Sequence, residues 1–153
     1  MASATFLFDG QPVPWSTTDV TDLETQLGVD LPPDYREYIL TTGSGPIFER
    51  VVPGTNDNGV VREIYSRERI DGMREAESGY FEWVPTRYLP VVAGSGGNLC
   101  VGLKGDVRGK VCWADFDLAE ETLDGGESSE SIMKPIAGSW TELIAAINGW
   151  QLV

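Results

Sequence analysis

Apolar positions in this chain follow two periods, and the changes between them mark its elements. Ser16-Thr17-Thr18-Asp19 has the form of a capping box with Asp in the place of Glu. Val20, Leu23 and Leu27 then fall at i, i+3 and i+7, one face of a helix that Gly28 stops. Pro32 and Pro33 suit the first turn of a second helix, where no N–H is needed. Tyr35, Tyr38 and Ile39 supply its apolar face and Gly43 its end. The period then falls to two. Residues 47–52 and 60–65 read as strands around a turn at 56–59. Residues 67–77 read as a charged helix with Ile70 and Met73 inward, and 83–88 as a loop carrying aromatics.

The stretch LPVVAGSGGNLCVGLKGDVRGKVCWADFD, residues 89–117, is the most informative. An apolar run at 89–93 ends in a glycine turn. Leu99, Val101 and Leu103 alternate, a polar turn spans 104–109, and a third run at 111–114 leads into acidic residues. This is the pattern of antiparallel strands joined by glycine-bearing turns. The segment from there to Ser131 carries Gly125-Gly126 and reads mostly as loop. Phe6 to Phe8 is a short strand or an apolar tether. Ser139-Trp140-Thr141-Glu142 is a complete capping box, and Trp140, Leu143, Ile144 and Ile147 line a closing helix. The expected fold is a single α+β domain over residues 1–153, an antiparallel twisted sheet flanked by N- and C-terminal helices.

Composition bounds the rest. A chain of 153 residues with 41% apolar content buries roughly 70% of its unfolded surface and folds without staples. It has no apolar run of about 18 residues, and its first fifteen residues lack the basic n-region of a secretory signal, which together give a cytoplasmic expectation. Cys100 and Cys112 flank the 104–109 turn symmetrically, opposite each other across a hairpin. They are either a disulfide or two reduced thiols. The cytoplasmic setting and the lack of C-x-x-C spacing favour thiols.

Charge is uneven as well as large. The net charge is −13. Residues 1–35 hold six acids (Asp9, Asp19, Asp22, Glu24, Asp30, Asp34) and no base. Residues 111–133 hold seven, Asp115, Asp117, Glu120, Glu121, Asp124, Glu127 and Glu130, again with no base. Such a field repels nucleic acid and anionic membranes and attracts basic partners, whereas any single acid is as readily a solvated surface residue.

Catalytic and cofactor chemistry finds little support. The chain has no His, which excludes Ser-His-Asp and Cys-His catalysis and His-ligated metal. Gly94-Ser95-Gly96-Gly97-Asn98 lacks the Gly-Lys-Ser/Thr ending of a phosphate loop and reads as a hairpin turn. Asn56-Asp57-Asn58-Gly59 lacks the closing Glu of a calcium loop and reads as an Asn-Gly turn. Asp115-Phe116-Asp117 is either a D-x-D metal motif or chance alternation at a strand end, and the latter is the commoner case. No cofactor, no metal and no catalytic residue is expected.

Two motif sets resemble the SUKH superfamily of small α+β domains. Its members carry a glutamate in the first helix, then L-G and L-P-x-D-Y-R-x-F/Y-L. Glu24, Leu27, Gly28, Leu31, Pro32, Asp34, Tyr35, Arg36, Tyr38 and Ile39 stand at those places. Leu89, Pro90, Val91, Gly94, Gly97, Asn98, Leu99, Val101, Leu103, Gly109, Val111, Trp113, Asp115 and Asp117 match the later strands. Ile136, Ala137, Ser139 and Trp140 match the closing helix. Where many members have an Asp-His-Glu-like triplet, this chain has Asp115-Phe116-Asp117, so any role of that histidine is absent. The resemblance implies a non-catalytic immunity protein that binds a bacterial polymorphic or contact-dependent toxin. The alternative it implies is an intracellular adaptor domain, whose relatives carry long disordered flanks that this chain lacks. Tyr35, Trp113 and Trp140 are expected in the core. The expected partner is a protein toxin with a basic surface, a nuclease being one such toxin. The seven carboxylates from Asp115 to Glu130 are the candidate binding surface.

Overall fold

A computed structural model describes residues 7–75, 82–124 and 127–153. The elements run α1 (Thr17–Leu27), α2 (Pro33–Thr41), β1 (Gly45–Val51), β2 (Val60–Ile64), α3 (Arg67–Glu75), β3 (Tyr88–Ser95), β4 (Gly97–Gly102), β5 (Val111–Asp115), α4 (Phe116–Thr122), β6 (Met133–Ala137) and α5 (Trp140–Ile147). The six strands form one sheet in chain order, each antiparallel to the next. This is the α+β architecture that the sequence predicts.

The helix ends follow the local chemistry. Ser16 and Asp19 make both bonds of the capping box at α1, and Gly28 closes the helix in the left-handed conformation at φ 71°. Pro33 opens α2, with Tyr35 and Ile39 buried. At α5 the capping box is only half formed. Ser139 accepts from the Glu142 N–H, but the Glu142 carboxylate reaches the N–H of Gly138 rather than that of Ser139. The expected helix over 67–77 is seen to Glu75. Residues 76 and 77, like Phe6, lie outside the described residues.

The sheet buries both faces. Leu99, Val101, Val111 and Trp113 join α1, α2 and α5 in the larger apolar cluster. Cys100, Cys112 and Ala114 alternate with them and join Trp83, Tyr88, Ala119 and Ile132 in a second cluster. Because successive strand residues point to opposite faces, the two clusters lie on the two sides of the sheet. Tyr35, Trp113 and Trp140 are all core residues, as expected. Cys100 and Cys112 are direct partners across β4 and β5, buried and unbridged.

Three expectations are corrected. The acidic segment is not mostly loop: α4 occupies Phe116–Thr122, capped by the Asp115 side chain, which accepts from the Leu118 N–H at 3.0 Å. A sixth strand, β6, extends the sheet beyond the five that the periodicity predicts. Pro135 within MKPIA argues against a central strand, and β6 is indeed an edge, where proline is tolerated and blunts further pairing. The turn at 56–59 is not built on Asn58-Gly59. Asn56 and Asp57 take the left-handed conformation, at φ 53° and 65°.

Gly59 serves a different need. A Cβ there would sit 2.9 Å from the Trp113 ring, and one on Gly97 would sit 2.7 Å from it and 2.0 Å from the Ala114 carbonyl. The glycine-rich stretch at 94–97 therefore does two things. Gly96 turns the chain at φ 80°, and Gly97 makes room for Trp113. The opposite edge, β1, is covered by the chain itself. Phe8 bridges Ile47, and the Val51 N–H donates to the Gln151 carbonyl at 2.7 Å.

Candidate partner-binding surface

The seven candidate carboxylates separate into two groups. Asp115 and Glu130 have internal tasks, which corrects the expectation that the segment carries no local counter-charge. Asp115 caps α4 with one oxygen, and its other oxygen pairs with Lys134 on β6 at 3.2 Å. Glu130 receives a two-pronged contact from Arg87, Nε at 2.9 Å and Nη2 at 2.8 Å, together with the Tyr88 hydroxyl at 2.8 Å. The other terminal nitrogen of Arg87 reaches Asp106 at 2.6 Å. The Arg87 guanidinium holds the carboxyls of Glu130 and Asp106 below their usual range, while burial, helped by the bond to Glu130, pushes the Tyr88 hydroxyl up. One cation thus ties the start of β3 to the 105–107 turn and to the end of the acidic segment.

The second group is Asp117, Glu120, Glu121, Asp124 and Glu127. All five are exposed, and none makes an ion pair among the described residues. Three lie on α4 and two on the segment that follows it. Glu121 sits in the last turn of α4, which has no basic residue and whose backbone dipole disfavours a negative charge. Asp117, in the first turn, sits at the favourable end of the same dipole, and the other four carboxylates do nothing evident for the fold.

The N-terminal acids do not extend this group. Residues of α1 and α2 pack on the larger cluster, across the sheet from the cluster that holds Ala119 of α4. Several of them also have structural partners. Glu24 Oε2 accepts from the Leu31 N–H at 2.8 Å and from Arg36 Nε at 3.1 Å, Asp19 completes the α1 capping box, and Asp34 reaches α5. The motif residues of the N-terminal helices are thus internal ties.

Beside α4 lies a cleft of about 220 Å³. The loop at 54–59 forms one wall, α4 the other and Trp113 the floor, with Asp117, Glu121 and the Asp115–Lys134 pair at its rim. Sequence reasoning missed the loop's part in it, because Asn56 and Asn58 meet α4 only through the sheet. Asp115-Phe116-Asp117 does not present two open metal ligands, since both oxygens of Asp115 are engaged. Among the described residues no group of three or more Cys, Asp or Glu could hold a metal ion. No helix among them is long and apolar enough to cross a membrane.

No curated protein matches the chain. A family model does, over residues 14–146, which takes in every helix and strand described above except the last residue of α5. The Glu24–Leu31–Arg36 tie, the glycine-lined seat of Trp113 and the capped closing helix all fall inside that span. The chain belongs to the SMI1 / KNR4 family (SUKH-1).

Proposed function

We propose that this protein is a non-catalytic immunity protein that binds a cognate bacterial toxin and blocks it through an acidic surface. Membership of SUKH-1 supports an immunity-like or SMI1-type domain. One observation carries the finer reading: Asp117, Glu120, Glu121, Asp124 and Glu127 are exposed and make no ion pair among the described residues, three on α4, which the fold holds by other residues, and two on the segment after it. A toxin that cuts nucleic acid needs a basic groove for the phosphate backbone, and a protein presenting carboxylates can occupy that groove. Long-range attraction also speeds the encounter.

The test is protection in living cells. The reading expects a toxin domain to be encoded beside this gene, and that domain is expressed with and without the chain. Restored growth with the intact chain, and none with a variant neutralised at all five positions, supports the reading. Continued killing in the presence of well-expressed intact chain overturns it.

A further inference from the structure

We propose that the cleft between the 54–59 loop and α4 receives one arginine side chain of the partner protein, its guanidinium held by Asp117 and Glu121. This rests on the immunity reading above and names an anchor within the acidic face.

Size narrows the occupant first. At about 220 Å³ the cleft lies below the roughly 300–1,000 Å³ of small-molecule and cofactor sites, and has room for a single side chain. Its shape is set by backbone. Gly54, Gly59 and Gly96 line it without side chains, and the Asn58 carbonyl lies 2.7 Å from where a Cβ on Gly96 would sit. The two loops therefore close on each other over the Trp113 ring.

Charge narrows it further. The Asp115–Lys134 pair is neutral as a unit, which leaves Asp117 and Glu121 as the uncompensated charges of the lining. They stand four residues apart and so share one face of α4, an arrangement that destabilises a helix when both are negative. A cation seated between them removes that repulsion. An anion is disfavoured, and an apolar group would leave both carboxylates partnerless. The backbone carbonyl of Asn58 and Asp117 Oδ2 lie 2.7 and 3.5 Å from where a Cβ on Gly96 would sit, so the loop adds an acceptor beside the helix's carboxylate. Acceptors arranged on two walls suit the five-donor fork of a guanidinium better than the three converging donors of an ammonium.

The experiment uses the ¹⁵N-labelled full chain, titrated with the blocked tripeptide acetyl-Gly-Arg-Gly-amide. Peptides with lysine or with the neutral isostere citrulline in place of arginine are titrated alongside. The expected result is saturable shifts of the Asn56, Asn58, Gly59 and Gly96 amides, at least tenfold weaker with citrulline and weaker with lysine. The Asp117→Asn, Glu121→Gln double variant should bind at least tenfold more weakly with an unfolding midpoint unchanged or raised. Glu37→Gln, an exposed acid of α2 that lies outside the cleft lining, should bind as the parent does. Equal response to citrulline or lysine, full binding by the double variant, or shifts spread evenly along the acidic segment would overturn the proposal. The outcome is separable from that of the cell assay. Protection without peptide binding removes the anchor alone, and peptide binding without protection removes the immunity reading alone.

Discussion

Asp34 and Thr141 are 107 positions apart, and Asp34 Oδ2 accepts two hydrogen bonds from Thr141, at 3.0 Å from its N–H and 3.1 Å from its hydroxyl. Thr141 lies in the first turn of α5, whose first N–H groups have no partner within the helix. Ser139 satisfies one of them from within, and Asp34 of α2 satisfies another from a different helix. Removing the carboxylate by Asp34→Ala should lower stability by about 1–2 kcal/mol, the usual worth of a cap. Combined with Thr141→Ala in a double-mutant cycle followed by urea unfolding, the two effects should fall short of additivity by at least about 0.5 kcal/mol. Additive losses would show that the bond does not join the helices.

Tyr35 packs edge-on against Trp140 with ring centroids 4.9 Å apart, and its buried hydroxyl has no hydrogen-bond partner among the described residues. Burial pushes the ionisation of this phenol far up. A buried donor left unpaired costs about 1–3 kcal/mol, so Tyr35→Phe should leave stability unchanged or raise it by an amount within that range. A loss above about 1 kcal/mol in urea unfolding would mean that the hydroxyl has a partner.

Gly97 needs the absence of a side chain rather than an unusual backbone angle. Its Cβ would meet the Ala114 carbonyl at 2.0 Å and the Trp113 ring at 2.7 Å. Gly97→Ala should destabilise by about 3 kcal/mol or more, at the upper end for overpacking. Gly72, where a Cβ would meet nothing within 4 Å in mid-helix, is the contrast: Gly72→Ala should stabilise by up to about 1 kcal/mol. Thermal melts of the two variants compare the signs directly.

The Arg87 junction gives the acid limb of stability a specific part. Glu130 and Asp106 have carboxyls held below their usual range by Arg87. Their contribution is therefore fully present above the unfolded carboxylate range, about pH 4, and is lost as pH falls through the lowered folded values. In Arg87→Gln that part of the slope should disappear. Amides of the 105–107 turn and of 130–132 should also exchange faster at neutral pH, read by hydrogen exchange. An unchanged acid limb would place the pH dependence elsewhere.

Neutralising Glu120, Glu121, Asp124 and Glu127 together should slow association with the cognate toxin at least tenfold while barely changing fold stability, since exposed charges contribute little to it. The parent's association rate should fall as salt rises, with screening over about 8 Å at physiological ionic strength, and the variant's should fall less. An equal rate for parent and variant at low salt would remove this segment from the interface.

How much of this was legible in the sequence depends on the range of the interaction concerned. Gly28, Pro33 and the Ser16–Asp19 pair act within a few residues of themselves, and the helix ends they mark are where their chemistry puts them. The alternation of Leu99 and Val101 identified the strand and one buried face. It did not reveal that Asn98 and Cys100 are buried on the other face, because that requires a second layer supplied by residues 83–88 and α4. Asp115 is the cap that marks the start of α4, but Gly125-Gly126 and the five acids after Asp117 read as loop.

By itself, then, the sequence determined the α+β class, the places where helices start and stop, the aromatic core, and the exclusion of histidine chemistry. These follow from periodicity, backbone freedom at glycine and proline, and composition. Only the tertiary structure decided which acids are committed and which are free. Lys134 lies nineteen positions from Asp115 in the chain, and Arg87 lies 43 from Glu130, yet each forms an ion pair across the fold. Coulomb attraction and hydrogen bonding depend on distance through space, and folding sets that distance between residues whose separation along the chain says nothing of it.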